Sequence, residues 1–136
     1  MGILPMIASL GRRSALGFVV AVIAFAGAAS LPDRAAAGEL VMFEEPGCTY
    51  CATWQEEIGV VYGKTEEGRR APLRRVDKTA ERPADLIAIE GILFSPTFVL
   101  LENGMEIGRI VGYPGEHFFW PMLQELLARI DGVHSG

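Results

Sequence analysis

Two cysteines three positions apart constrain this chain more than any other feature. Cys48 and Cys51 are its only cysteines, and they stand between an apolar run, residues 39–43, and a segment with helical apolar spacing. A pair at such a strand-to-helix junction can be a structural disulfide, half of a metal site, or a thiol–disulfide redox centre. The rest of the sequence has to distinguish among these three roles.

Turn residues and apolar runs predict the strands. Residues 39–43 and 71–77 are short runs bounded by Pro, Gly or charged residues, as is typical of strands. Residues 96–113 hold two apolar runs separated by Asn103-Gly104, the strongest short-range signal for a hairpin. Four strands are therefore predicted, and the last two are antiparallel neighbours.

Helical spacing predicts three helices. The first begins at Thr49 and ends at the breakers Gly63 and Gly68, and its inward face consists of Cys51, Trp54, Ile58 and Val61. A short second helix is predicted over 82–91, and a third begins near Gly115. The apolar stripe of the third consists of Phe118, Phe119, Met122, Leu123, Leu126, Leu127 and Ile130. The order β-α-β-α-β-β-α predicts an α/β fold, with a mixed four-stranded sheet and helices on both faces.

Residues 1–37 have the order of a secretory signal peptide, with basic residues, an apolar run and a small-residue cleavage site. Arg12 and Arg13 precede the apolar run 15–29, and Ala35-Ala36-Ala37 follows it. The run is shorter than the roughly 20 residues that span a bilayer, which favours cleavage after Ala37 over a retained anchor. A cut near Ala28 or Ala29 is an alternative, and the GRRSAL segment is a poor match to a twin-arginine signal.

Cleavage after Ala37 leaves residues 38–136 as one exported domain without a membrane span. Export takes the cysteines to a compartment where disulfides persist. The full chain has a formal net charge of −5, which argues against a nucleic-acid partner because such proteins usually carry a basic surface.

The predicted position of Cys48 at the start of a helix gives the two thiols different chemistry. Free backbone N–H groups and the helix dipole stabilise a thiolate there, which lowers the thiol pKa from its free value of about 8.5. Cys51 lies one turn later on the inward face and is expected to be more buried. Cys48 is thus predicted to attack, and Cys51 to resolve the resulting mixed disulfide.

The structural and metal-binding roles have weaker support. A C-x-x-C pair closes a very small loop, so a structural disulfide would remove little entropy from the unfolded chain. A structural zinc site usually needs four ligands, and His117 and His134 are not spaced to complete one, so no metal ligands are predicted. Two thiolates are enough for Cu(I), and a soft-metal carrier therefore stays open as an alternative.

Three motifs together resemble the thioredoxin superfamily over about residues 39–131. They are the strand–turn–CTYC–helix unit, the segment SPTFVLLENG and the segment GRIVGYPG. The resemblance implies a thioredoxin fold that uses the Cys48–Cys51 disulfide, with no further cofactor, on protein thiols and disulfides. It also implies a cis Ser95–Pro96 peptide bond. The substrate-binding residues that it implies are Gly47, Thr49, Tyr50, Ser95, Pro96, Thr97, Val111 and Gly112.

The segments EPGCTYCATWQEEIGVVY, APLRRVD and GYPGEHFFWPML are similar to a narrower group, the small exported SoxS-type proteins of bacterial sulfur-oxidation systems. This resemblance implies a periplasmic reductant that keeps a carrier protein's cysteine free of unwanted disulfides. It also implies that a membrane electron transporter recharges the protein. We expect the mature domain to be a monomer.

Two departures from thioredoxins leave the direction of electron flow open. Thr-Tyr stands between the cysteines in place of Gly-Pro, and Met42 occupies the position of the family's buried Asp. Glu44 and Glu45 are predicted to lie on the surface of the turn. A disulfide oxidase or isomerase of the same fold, and a non-enzymatic Cu(I)- or metal-binding carrier, therefore remain alternatives to a reductase.

A basic cluster stands out in this acidic chain. It consists of Arg69, Arg70, Arg74 and Arg75. We interpret it as a solvated edge-strand face, where charge discourages aggregation. A docking patch for an acidic partner is the alternative.

Overall fold

The computed structural model describes residues 36–133. Its strands are β1 (Glu39–Glu44), β2 (Leu73–Asp77), β3 (Thr97–Glu102) and β4 (Met105–Val111). Its α-helices are α1 (Thr49–Trp54), α2 (Val60–Tyr62), α3 (Glu66–Arg70) and α4 (Glu116–Val133), and a 3-10 turn spans Ala84–Leu86. The predicted signal peptide lies outside the described residues except for its last two positions, so it stays a prediction.

Within the described residues, the four strands form one mixed sheet in the order β2-β1-β3-β4. β1 runs parallel to β2 and antiparallel to β3, and β3 runs antiparallel to β4. Asn103 and Gly104 both have positive φ, 51° and 77°, as the turn of a two-residue hairpin requires. The predicted mixed four-stranded sheet is confirmed, and so is the hairpin at its edge.

A π-helical turn, Gln55–Gly59, joins α1 to α2, and we call the continuous segment 49–62 the cysteine helix. The first three predicted inward positions of this helix are buried. The fourth inward residue is Tyr62 (1% exposed), whereas the predicted Val61 is 43% exposed. The prediction was wrong by one position because a π turn holds more residues than an α turn, which moves the next inward position one residue later.

Gly63 caps the cysteine helix, as predicted, but Gly68 does not break a helix. It lies inside α3, where its N–H donates a 3.0 Å hydrogen bond to the capping Oγ1 of Thr65. A Cβ at position 68 would stand only 1.9 Å from the carbonyl oxygen of Tyr62. Glycine is therefore needed at this position for close packing between α3 and the end of the cysteine helix.

The short helix predicted over 82–91 is reduced to the single 3-10 turn. The N–H of Leu86 donates to the carbonyl of Pro83, and the N–H of Ile89 donates to that of Leu86. Both bonds span three residues, which is the 3-10 pattern rather than the four-residue α pattern. Leu86 and Ile89 are both buried, so the turn still delivers two apolar side chains to the sheet.

The sheet separates two apolar layers. The cysteine helix and α4 supply the first, where the Trp54 ring lies 5.2 Å from that of Phe98 and 5.8 Å from that of Phe119. The segment containing Leu86 and Ile89 supplies the second. Both faces of the sheet are thus covered, the second by the 3-10 turn and extended chain in place of the expected α-helix.

The apolar stripe of α4 is wider than the face it buries. Five of its seven predicted members are buried, but Phe118 is 66% exposed and Met122 is 40% exposed. These two residues are four positions apart and lie along one edge of the stripe. The stripe therefore extends past the buried face, because apolar spacing shows only which residues share a side of a helix.

Candidate active site

The chain passes from β1 to the cysteine helix through a turn at Gly47, whose φ is +77°. Cys48 is the N-cap of α1, and its Sγ accepts a hydrogen bond from the N–H of Cys51 at 3.1 Å. The two cysteines form a disulfide with an S–S length of 2.08 Å and a Cα–Cα distance of 5.3 Å. The C-x-x-C pair is therefore a disulfide at a helix N-terminus.

The two cysteines differ in exposure. Cys48 is half-buried, whereas Cys51 is 3% exposed and belongs to the apolar layer beneath the cysteine helix. In the reduced protein, the N–H that faces Cys48 Sγ can stabilise a thiolate. The geometry therefore fits the predicted order, with attack by Cys48 and resolution by Cys51.

A groove of about 470 Å³ includes Tyr50, one of the two residues between the cysteines in sequence, in its lining. Its lining residues carry no charged side chain and are Tyr50, Phe94, Ser95, Val111, Gly112, Tyr113 and Pro114. Four of the eight predicted substrate-binding residues are among them. We call this concave surface the uncharged groove.

Large side chains at the rim of the uncharged groove are open to solvent. Tyr50 is 65% exposed, Phe94 is 63% exposed and Val111 is 56% exposed. A concentration of exposed apolar surface marks a site of contact with another molecule. The placement of this surface next to the disulfide makes it a candidate surface for protein partners.

Pro96 and Thr97 are buried and support the uncharged groove without lining it. The Ser95–Pro96 peptide bond is cis. The Pro96 carbonyl accepts a 2.7 Å hydrogen bond from the N–H of Gly112, and Thr97 Oγ1 donates to the Phe94 carbonyl at 2.8 Å. The first bond joins the two segments that line the groove, and the second fixes the loop that carries Phe94 and Ser95.

The sequence analysis missed three residues of the uncharged groove: Phe94, Tyr113 and Pro114. Phe94 directly precedes the predicted Ser95, and Tyr113 and Pro114 directly follow the predicted Gly112, so adjacency in sequence was the available signal. Tyr113 also reaches across the site, because its hydroxyl donates to a Glu57 carboxylate oxygen at 2.5 Å. Burial and this hydrogen bond raise the pKa of Tyr113.

A second concave surface of about 490 Å³ has both cysteines in its lining, and we call it the polar cleft. It holds the two remaining predicted residues, Gly47 and Thr49. Its full lining is Glu44, Glu45, Gly47, Cys48, Thr49, Cys51, Ala52, Gln55 and Arg75. Six of the eight predicted substrate-binding residues thus line one of the two surfaces, and Pro96 and Thr97 lie buried behind the uncharged groove.

An ion pair spans the polar cleft. Arg75 donates from Nε and Nη2 to the two carboxylate oxygens of Glu44, at 2.8 and 2.6 Å. Its Nη1 donates to Oε1 of Gln55 at 2.7 Å. The hydrogen bonds to Glu44 raise the pKa of Arg75. Glu44 was predicted to lie in the surface turn, but it is the half-buried last residue of β1.

Met42 lies in β1 beneath the cysteine helix. It is fully buried in the same apolar layer as Cys51. The position that the resemblance assigns to a buried Asp therefore presents an apolar side chain in this chain. Any proton exchange at Cys51 has to use a different group.

The arginines of the predicted basic cluster each have a partner. Arg69 donates to the Lys64 carbonyl, and Arg70 pairs with Asp131 at 2.7 Å. Arg74 pairs with Asp85 at 2.6 Å. Pairing of these guanidinium groups, together with the Arg75–Glu44 pair, favours a solvated structural face over a docking patch for an acidic partner.

Across residues 36–133, no three His, Cys, Asp or Glu side chains are grouped so that they could hold a metal ion. In the same part of the chain, no helix combines the length and apolar character needed to cross a membrane.

Among solved structures, the chain is similar to the crystal structure of the periplasmic thioredoxin SoxS from Paracoccus pantotrophus in its reduced form. The sequences are 48% identical, the match covers 68% of this chain and 97% of that chain, and the TM-score is 0.65. No protein-family model matches the chain, and comparison with curated proteins gives no significant match.

Proposed function

Because the chain belongs to the SoxS-type thioredoxins, we propose that its thiol–disulfide oxidoreductase activity serves to reduce protein disulfides in the periplasm. The observation that carries this proposal is the Cys48–Cys51 disulfide, with one half-buried and one buried cysteine, beside an uncharged groove. Sulfur oxidation is the proposed setting, with a carrier protein's oxidised cysteine as the target.

The reaction has two exchanges. The Cys48 thiolate attacks one sulfur of the partner's disulfide, that S–S bond breaks, and the first partner sulfur leaves as a thiolate. The Cys51 thiolate then attacks Cys48 Sγ, the mixed disulfide breaks, and the second partner sulfur leaves. Two electrons have passed to the partner, and the Cys48–Cys51 disulfide remains.

The uncharged groove supports a partner whose target cysteine lies in an extended segment with apolar neighbours. A charged side chain placed in this groove would lose water without gaining an opposite charge. The exposed rings of Tyr50 and Phe94 supply apolar contact area on either side. Small disulfides need none of this surface, so they should react at rates independent of it.

Residues 1–37 supply the proposed route to the periplasm as a cleaved signal peptide, and residues 38–136 form the mature monomer. A membrane electron transporter is the proposed donor that returns the disulfide to two thiols. Mass spectrometry of the exported protein tests cleavage after Ala37, and gel filtration tests the monomer. A retained N-terminus or a stable dimer would contradict these two parts of the proposal.

The reduction potential of the Cys48–Cys51 pair in the exported protein tests the direction of electron flow. A value of about −250 mV or lower, close to that of thioredoxin, supports a reductant. A value of about −120 to −180 mV, in the range of dedicated oxidants and isomerases, would replace it with disulfide formation or isomerisation. Stoichiometric retention of Cu(I) without disulfide turnover would instead support a metal carrier.

A further inference from the structure

The second exchange requires Cys51 to lose a proton in a place that water barely reaches. The residue is 3% exposed and packs in the apolar layer beneath the cysteine helix. Burial favours the neutral form of a thiol, but only the thiolate attacks a disulfide. A group near Cys51 that accepts the proton during the attack would remove this obstacle.

The polar cleft supplies candidate proton-accepting groups near Cys51. Met42, the neighbour from β1 in the buried layer, has no proton-accepting atom. Among the described residues, the carboxylates that share the cleft lining with Cys51 are Glu44 and Glu45. Asp77 lies opposite Glu44 in the strand register, but its carboxylate accepts hydrogen bonds from Thr79.

Glu44 is connected to the cysteine helix by hydrogen bonds, whereas Glu45 belongs to a separate ion pair. Both Glu44 oxygens are bound by Arg75, and Arg75 is bound in turn to Gln55. Gln55 follows Cys51 by four residues, so the two lie on the same side of the helix. Glu45 pairs instead with Lys78, at 3.5 Å.

Gly59 leaves room for this arrangement. A Cβ at position 59 would stand 2.5 Å from Oε1 of Gln55, the atom that accepts from Arg75. The bare surface of the π turn thus lets the Gln55 carboxamide fold over it and hold Arg75 in the cleft. The π turn, Gln55, Arg75 and Glu44 form one connected polar unit beside the resolving cysteine.

We propose that Glu44 accepts the proton of Cys51 through water in the polar cleft when Cys51 resolves the mixed disulfide. The inference rests on the proposed function. As the Cys51–Cys48 bond forms, the bond from Cys48 to the partner breaks, the partner leaves as a thiolate, and the Cys51 proton passes to Glu44. Glu44 then releases this proton to solvent. Arg75 and Gln55 are positioning residues, because they hold the carboxylate in place.

The test uses the reduced protein and bis(thionitrobenzoate) disulfide, which releases a coloured thiolate at each exchange. Attack by Cys48 gives a first phase whose rate depends on reagent concentration. Attack by Cys51 gives a second phase that does not depend on it. Stopped-flow absorbance therefore separates the two cysteines in one experiment.

Glu44→Gln is expected to slow the second phase by about tenfold or more at neutral pH, since a positioned general base contributes at least this much. The first phase should stay within about twofold of wild type. In the variant, the second-phase rate should rise steadily with pH, because hydroxide must then remove the proton. Glu44→Asp, which keeps a carboxylate, should restore part of the rate at neutral pH.

Glu45→Gln is the matched control, because it makes the same chemical change in the same cleft. It should not slow the second phase, because the Glu45 carboxylate pairs with Lys78 and is not part of the Arg75–Gln55 unit. A carboxylate that acted only through its charge would give the opposite result, since its removal would ease ionisation of Cys51 and speed the second phase. Acceleration in Glu44→Gln, equal slowing of both phases, or equal slowing in the control would each overturn the proposal. The proposed function fails separately, if the wild-type protein does not reduce protein disulfides.

Discussion

The backbone N–H of Cys51 donates to Cys48 Sγ at 3.1 Å, so the resolving residue also supports the attacking sulfur. The donor is the backbone of Cys51, so the contact survives replacement of the Cys51 side chain. Substitution of one cysteine at a time can therefore distinguish attack by Cys48 from resolution by Cys51.

Cys48→Ser is expected to abolish reduction of a protein disulfide, because it removes the attacking sulfur. Cys51→Ser should instead stop at the mixed disulfide, because Cys48 still attacks but nothing resolves the product. Non-reducing electrophoresis with mass spectrometry of the trapped adduct measures both results. An adduct in Cys48→Ser but not in Cys51→Ser would reverse the assigned roles.

The uncharged groove should matter for protein substrates and not for small ones. Phe94→Ala removes an exposed ring at the rim and should raise KM for a protein disulfide by about five- to tenfold, as the loss of a contact worth about 1 kcal/mol or more does. The rate with a small disulfide reagent should not change. Enzyme kinetics with both substrates measure the difference.

Met105→Ala is the control for this substitution. Met105 is also exposed, at 67%, but it begins β4 next to the hairpin turn, at the end of the strand away from Val111. Its loss should affect neither substrate. Equal effects of the two variants on the protein disulfide would show that general surface hydrophobicity, and not the groove, determines KM.

The parts of the fold that could be predicted are those set by a few residues adjacent in sequence. The C-x-x-C pair, the strands and the turn at Asn103-Gly104 each follow from a few adjacent residues. The π turn Gln55–Gly59 does not, because apolar spacing fits an α-helix equally well up to Ile58. The π turn holds more residues than an α turn, so Tyr62 and not the predicted Val61 enters the core.

The polar cleft shows why its ion pair could not be predicted. Glu44, Gln55 and Arg75 come from β1, the cysteine helix and β2, and their hydrogen bonds join residues up to 31 positions apart. Parallel pairing of β1 with β2 brings Arg75 next to β1. The β-α-β order at the start of the domain implies such a parallel pair, but it does not indicate which side chains the pair brings together.

Tyr62 provides a test of the packing beneath the active site. Its buried hydroxyl donates to the Ala71 carbonyl at 2.7 Å. Tyr62→Phe keeps the ring but leaves that carbonyl without this donor, so unfolding free energy should fall by about 1–2 kcal/mol. Denaturant unfolding measures the loss. An unchanged midpoint would show that the carbonyl finds another donor.

The buried Tyr62 hydroxyl should also make the free energy of unfolding depend on pH. Burial, and then the nearby charge of Glu67, raise the pKa of Tyr62 from its model-compound value of 10.0. The folded protein therefore holds this proton more tightly than the unfolded chain. The contribution is fully present below about pH 10 and is lost as pH rises through the folded pKa. Unfolding free energy should thus fall less steeply above about pH 10 in Tyr62→Phe than in wild type.

Gly68 and Gly63 form a matched pair for testing the contact between α3 and the cysteine helix. Gly68→Ala would place a Cβ 1.9 Å from the Tyr62 carbonyl oxygen. Because that neighbour is backbone, α3 has to shift, and unfolding free energy should fall by about 2–3 kcal/mol. Thermal and denaturant unfolding of the two variants measure the change.

Gly63→Ala should be neutral or stabilising by up to about 1 kcal/mol, because alanine limits the unfolded chain without strain in the folded one. A Cβ there meets nothing within 4 Å, and the backbone at Gly63 is already right-handed helical, with φ of −64°. If Gly68→Ala were equally neutral, α3 would have to move away from Tyr62 at little cost. The close approach would then be incidental, and the glycine at position 68 would not be needed for packing.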